Sequence, residues 1–204
     1  AEKRLSKEEK DVTEELEEYR MALLRYRYEQ RYINERLDTV ITEEEIEDYY
    51  NAHAESFIAE VPVVKARFMR ISKDSPNLSL IRKKMSSEKT EDLIEADSIA
   101  YSSADRYTDY GEKWIDMVEL AKDFDTDYGS LLSSMRNSFI ETTDAYGKVN
   151  VAYISEYVKA GEVLPMEYCE NEIREILIGT RKHKLVTDLE RDLMEDARDK
   201  GKLV

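Results

Sequence analysis

Between Ser6 and Leu37 the apolar positions Val12, Leu16, Tyr19, Leu23, Tyr26, Ile33 and Leu37 follow one another at alternating steps of three and four, with one position missed at Gln30. That spacing predicts a single long helix with one apolar stripe. Ser6 with Glu9 forms a capping box at its start, and no Gly or Pro interrupts it. Thr42 with Glu45 is a second capping box, opening a shorter helix that carries Ile46, Tyr49, Tyr50 and His53 toward Phe57. Pro62 ends this helical zone, and the alternation from Val64 to Ile71 predicts a half-buried strand. Short helical stretches at Leu78 to Met85 and Thr90 to Tyr101 follow, then polar turns, then a second strand from Val149 to Ser155 entered through Tyr146-Gly147-Lys148. Beyond Ala160-Gly161, Pro165 is placed as a first-turn proline for a terminal helix whose stripe is Met166, Ile173, Ile176, Leu177, Leu185, Leu189 and Leu193, interrupted only by Gly179.

The expected architecture is therefore helix-dominated α+β. Residues 1–61 and 161–204 are helical, and 62–160 form an α+β insert between them. Packing the terminal helix against the first pair is the simplest way to cover both stripes.

Composition narrows the partners. The 204 residues carry a formal net charge of -15, with 38% charged residues, so the surface is self-repelling and acidic. A nucleic-acid partner is excluded, because the one compact basic run, Arg181-Lys182-His183-Lys184, sits among acidic neighbours and reads as a solvated helix face. The single cysteine, Cys169, rules out an intrachain disulfide and reads as helix packing. No apolar run approaches the roughly 20 residues that span a bilayer. The chain opens Ala1-Glu2-Lys3 in what reads as helix, so an N-terminal piece such as an export signal is expected to have been removed.

Catalytic chemistry is scarce. His53 and His183 are far apart, and neither has a metal-ligand partner at helical spacing. Asp123-Phe124-Asp125-Thr126-Asp127-Tyr128-Gly129 has alternate carboxylates, but its glycine comes one residue late for a calcium loop, and the twelfth position is Ser134. It reads as a turn or helix start. No Gly-x-Ser-x-Gly elbow or glycine-rich phosphate loop is present, and neither metal nor cofactor is implied. The 14 tyrosines stand out against four phenylalanines. Tyr26 on the first helix, with Tyr19, Tyr28 and Tyr32, and Tyr49 and Tyr50 on the second, are candidates for an amphipathic groove that takes extended peptide; the competing reading makes them boundary residues between core and water.

Three strings carry a family likeness: Val40-Ile41-Thr42-Glu43-Glu44-Glu45-Ile46-Glu47-Asp48-Tyr49-Tyr50, then Val64-Lys65-Ala66-Arg67, then Lys159-Ala160-Gly161-Glu162-Val163-Leu164-Pro165. In content and order they resemble the SurA and PrsA group of parvulin-containing foldases of the bacterial cell envelope. The resemblance implies a helical chaperone-like lobe built from both chain ends, a parvulin-like isomerase domain inserted between them, polypeptide clients and a periplasmic or envelope location. It also implies two site histidines and a loop Cys or Asp. Here the histidine positions read Phe68 and Asn150, the loop position falls near Asp105, and Trp114 occupies a family landmark without its glycine. The implied isomerase domain is thus degenerate, and no residue is assigned as catalytic. Proline isomerisation depends on a dry pocket shaped to the twisted amide, so an atypical isomerase using Asp105, Tyr107 or Tyr153 is the enzymatic alternative to a non-catalytic chaperone. A third reading makes the near-heptad first helix a coiled-coil arm of a homodimer or scaffold.

Overall fold

The structure is a computed structural model that describes residues 11–87 and 89–201. It is mixed α+β, with six antiparallel strands in one sheet and helices on either side of it in sequence. Two compact units divide the chain, residues 1–46 with 172–204, and residues 47–171. Their boundaries fall inside the second and last helices, whereas the sequence pattern marks breaks at Pro62 and Gly161.

In the first unit, α1 (Thr13–Arg36) forms over the first apolar stripe. The Ser6–Glu9 capping box lies outside the described residues; Asp11 instead accepts from the Thr13 hydroxyl at 2.7 Å. At α2 (Glu43–His53) the second capping box is made in both directions. Glu45 N–H donates to Thr42 Oγ1 at 3.2 Å, and Thr42 N–H donates to Glu45 Oε2 at 3.0 Å. From α7 (Met166–Asp199) the Arg181 guanidinium donates to the carbonyls of Val40, at 2.8 Å, and of Asp38, and pairs with Glu45. One planar fork thus fixes the turn between α1 and α2 and the first turn of α2. Ile33, Ile41, Ile46, Ile173 and Leu189 are the buried apolar side chains of this unit.

Only the end of the first stripe is covered: Ile33 is buried, and Val12 to Tyr26 are exposed. Cavities of about 270 and 490 Å³ are lined by residues of both α7 and the Tyr28–Asp38 stretch, and every residue from Asp11 to Tyr28 is exposed. The reason is on α7, where beyond Leu189 the helix is almost wholly charged, with Leu193 and Met194 themselves exposed.

In the second unit, β1 (Val63–Ser72) pairs with β6 (Lys148–Val158) at the sheet centre. β5 (Phe139–Thr143) and β4 (Met135–Arg136) extend it on one side; β2 (Arg106–Asp109) and β3 (Ile115–Asp116) flank β1 on the other. Alternation sends Met69, Ile71, Val149 and Val151 against α3 (Leu78–Met85) and α4 (Thr90–Ser103), where Ile81, Met85 and Ala100 are buried. The other face, with Val64, Ala66, Phe68, Ala152 and Ile154, packs on α5 (Met117–Asp123) and α6 (Tyr128–Ser134). Both short helices start from aspartate caps, Asp116 and Asp127.

The chain enters and leaves this sheet through one clamp. Ala59 N–H donates to Glu162 O, Gly161 N–H to Ala59 O and Leu164 N–H to Phe57 O, all within 2.9 Å. Gly161 has φ +85°, which a β-carbon would strain. Tyr50 closes the clamp, its hydroxyl donating to Leu164 O at 2.6 Å and its ring stacked on Phe57.

Arg181→Lys keeps the charge but not the fork, and is expected to lower stability by about 1–2 kcal/mol in denaturant unfolding. Hydrogen bonds from Thr42 and Arg181 hold the Glu45 carboxyl below its ordinary value. Its contribution is therefore present above the ordinary carboxylate range and lost as pH falls through the depressed folded value. Stability measured between pH 3 and 6 should fall less steeply in Glu45→Gln than in the parent.

Candidate functional site

A cavity of about 270 Å³ opens at the end of the sheet face that carries Phe68. Its floor is a cross-strand row. Thr142 on β5 pairs with Asn150 on β6, which pairs with Arg70 on β1, so the three side chains share one face. Phe124 and Leu131 make the apolar wall, and the hydroxyls of Thr126, Ser130 and Ser134 line the mouth.

Asn150 is only 4% exposed. Its Oδ1 accepts from Arg70 Nε at 2.7 Å; among the described residues its Nδ2 has no hydrogen-bond partner, and it belongs to the cavity lining. This nitrogen is not sealed from solvent, since the buried side-chain atoms without a partner among the described residues are Arg67 Nε and Arg82 Nε; it is a donor open to what enters the cavity.

Arg70 ties this floor to the wall. It donates to the carbonyl of Asp123 at 2.9 Å and to Asp125 Oδ2 at 2.6 Å. Asp125 sits just past the end of α5 with φ +54°, while Thr126 N–H returns to Ala121 O and Asp125 N–H to Lys122 O. That is a Schellman turn with aspartate where glycine is usual, and the Arg70 contact gives the strained residue its use.

Behind the wall, Phe68 is fully buried and meets Phe124 edge-on at 5.0 Å. Asp123, 2% exposed, accepts from Tyr110 Oη at 2.9 Å and from Arg106, whose guanidinium lies 5.9 Å over the Phe68 ring. Burial first, and then the bond to Asp123, push the Tyr110 hydroxyl up to about 12. The structure therefore puts Phe68 and Asn150 on the same face of neighbouring strands, but only Asn150 reaches the cavity; Phe68 pairs with Ala152 and fills the core.

The remaining candidates are dispersed. Asp105 forms an ion pair with Lys148 at 2.7 Å, and its N–H donates to Arg70 O. Trp114 is half-buried beneath the Lys65 ammonium at 5.1 Å. Tyr107 and Tyr153 lie on the opposite face, against Met69 and Val151. Tyr107 donates to Asp97, and burial raises its hydroxyl far above the ordinary value. The three groups named for an atypical isomerase thus do not meet at Asn150. Tyr26 is exposed on α1 in the helical unit, whereas Tyr49, stacked on His53 at 4.2 Å, and Tyr50 belong to the sheet unit. The aspartates of the Asp123–Gly129 run serve as a core acceptor, a turn partner of Arg70 and a helix cap.

Sequence reasoning missed Arg70 and Thr142. The signal for Arg70 was present, because alternation from Val64 through Ala66 and Phe68 sends residue 70 inward, and an inward arginine at a strand end marks a polar recess.

Fold and cavity together define a two-unit α+β protein with a recess at one end of its sheet. No family model matches the sequence, and no curated protein matches it. Among solved structures the chain is similar to one reported with the virulence factor PEB4 and the periplasmic protein Cj1289, two SurA-like chaperones of Campylobacter jejuni. Identity is 15%, 93% of this chain and 75% of that one are covered, and the TM-score is 0.36. A likeness this remote says nothing of what this chain binds.

Phe68→Ala should cost about 3–5 kcal/mol in denaturant unfolding, as a filled core position does. Tyr110→Phe removes a donor from buried Asp123 and should cost about 1–3 kcal/mol. Because the fold raises the Tyr110 hydroxyl, stability is present below the unfolded tyrosine value of about 10 and is lost as pH rises toward 12. In the Phe variant that alkaline loss should shrink.

Proposed function

We propose that this chain is a chaperone-like protein that binds extended polypeptide, with the Asn150 cavity as a contact site and without catalysis of its own. The observation that carries this reading is the Asn150 amide nitrogen, a donor with no hydrogen bond among the described residues, at the floor of a recess with one apolar wall. A peptide carbonyl accepts from such a donor while a small apolar side chain rests on Phe124 and Leu131. Both carboxylates at the rim are already engaged, Asp125 with Arg70 and Asp144 with the N–H groups of Tyr146 and Lys148 at 2.8 Å. Neither is placed as an acid or base. An acidic surface keeps a complex with an unfolded client dispersed.

The location we infer, periplasmic or envelope-associated, is supported by the resemblance of the three strings quoted above. Among the described residues no helix is long and apolar enough to cross a membrane. The isomerase alternative loses support from the separation of Asp105, Tyr107 and Tyr153 from the cavity.

The purified chain should suppress aggregation of a chemically unfolded client at stoichiometric excess, and should not accelerate cis–trans exchange of a proline peptide. Asn150→Ala should keep the helical signal and weaken client binding about 2- to 10-fold, the worth of one neutral hydrogen bond. No suppression by the parent contradicts the reading. Proline isomerisation that disappears in Asn150→Ala would establish the enzyme instead.

A further inference from the structure

The side chains that line the Asn150 recess include two carboxylates, Asp125 and Asp144, and no basic residue. The fold holds each of them by one oxygen. Asp125, in the left-handed turn after α5, gives Oδ2 to Arg70, and Asp144, just past β5, gives Oδ1 to the N–H groups of Tyr146 and Lys148. The other oxygens, Asp125 Oδ1 and Asp144 Oδ2, make no hydrogen bond among the described residues, nor do the Thr126 and Thr142 hydroxyls in the same lining. Neighbouring cations do not fill this position. Arg70 pairs with Asp125 from behind the floor, Lys148 pairs with Asp105 at 2.7 Å, and Lys73 lies along Gly147, outside the lining. The recess therefore keeps an excess of negative charge, in a chain whose formal net charge is -15.

We propose that the recess selects a basic client residue, a lysine or an arginine; this rests on the reading of the recess as a contact site for extended polypeptide. A client backbone carbonyl accepts from the Asn150 amide nitrogen, the methylene stem of the basic side chain lies on Phe124 and Leu131, and its charged tip donates to the open oxygens of Asp125 and Asp144. Long cationic side chains divide in this way between an apolar surface and a solvated, anionic mouth. Two carboxylates alone would draw only counterions. What distinguishes this pair is Asn150, a residue only 4% exposed whose amide nitrogen is a donor open to the same cavity. A bare metal cation satisfies the carboxylates and offers the amide no acceptor, and an apolar residue does the reverse. A basic residue within a peptide answers both.

The test is an NMR titration of the full chain with three capped, proline-free peptides rich in valine and serine that differ only at their centre. The central residue is lysine, glutamate, or norleucine, which keeps the four-carbon stem without the charge. The lysine peptide should bind the parent about 3- to 10-fold more tightly than the norleucine peptide, and the glutamate peptide more weakly than either. Raising the salt from about 0.05 M to about 0.5 M should narrow the gap. In Asp125→Asn/Asp144→Asn the side-chain oxygens that hold the two turns remain, and asparagine tolerates the left-handed backbone at 125. An unchanged helical signal verifies the fold. There the lysine advantage should disappear while norleucine binding is unchanged. General attraction to the acidic surface would survive in this variant, which loses only two of 46 acidic residues. A lysine advantage that persists in it therefore overturns the proposal. Equal binding of the lysine and norleucine peptides to the parent overturns it too, and the contact site itself still stands if that binding weakens in Asn150→Ala. If none of the peptides binds, the contact-site reading fails and the proposal with it.

Discussion

The fold of the larger unit depends on the β1–β6 ladder. It joins residues as distant as Lys65 and Glu156, 91 positions apart; β2, β3 and β5 pair directly with one of these two strands, and β4 is carried by β5. A pairing this remote pays a loop-closure cost before it returns any hydrogen bond, so both strands must be strongly apolar on both faces to hold it. They are. β1 sends Val64, Ala66 and Phe68 to one core and Met69 and Ile71 to the other. The clamp of Phe57–Ala59 on Gly161–Leu164 continues the same antiparallel association beyond the sheet. It also explains the tyrosines of α2, because Tyr50 spends its hydroxyl and its ring on closing the clamp.

The ladder also creates the recess. Where the strands near their ends, the inward row changes from Phe68 and Ala152 to Arg70, Asn150 and Thr142. An arginine there needs partners, and finds them in Asn150 and in the strained turn after α5. Once Arg70 has taken the Asn150 oxygen, the amide nitrogen is left facing the cavity. The open donor is thus a consequence of satisfying the charge beside it.

Much of this frame was readable before any coordinates. The α1 stripe, the capping box at Thr42, the strands around Val64–Ile71 and Val149–Ser155 and the terminal helix all follow from local periodicity and turn chemistry. The middle was not readable to the same degree. β2, β3, β4 and β5 are two to five residues long; β2 and β3 take their register from β1 and β5 from β6, so their pattern is set by distant partners, and β4 follows β5. Covering of α1 was expected from two stripes needing partners; Ile33 is buried while every residue from Asp11 to Tyr28 is exposed, because stripe length does not say how far a contact runs. Of the site, Asn150 was singled out through the family likeness, and Phe68 with it; the structure separates them, one into the recess and one into the core. Arg70 was legible in the alternation and went unread.

The most direct test of the account is NMR of the Asn150 side-chain amide during titration with an unfolded, apolar-rich client. The amide pair should shift together with the Leu131 methyl signals, because the client carbonyl takes the open donor while its side chain rests on the apolar wall. Tight client binding that leaves both sets of signals unmoved would contradict it.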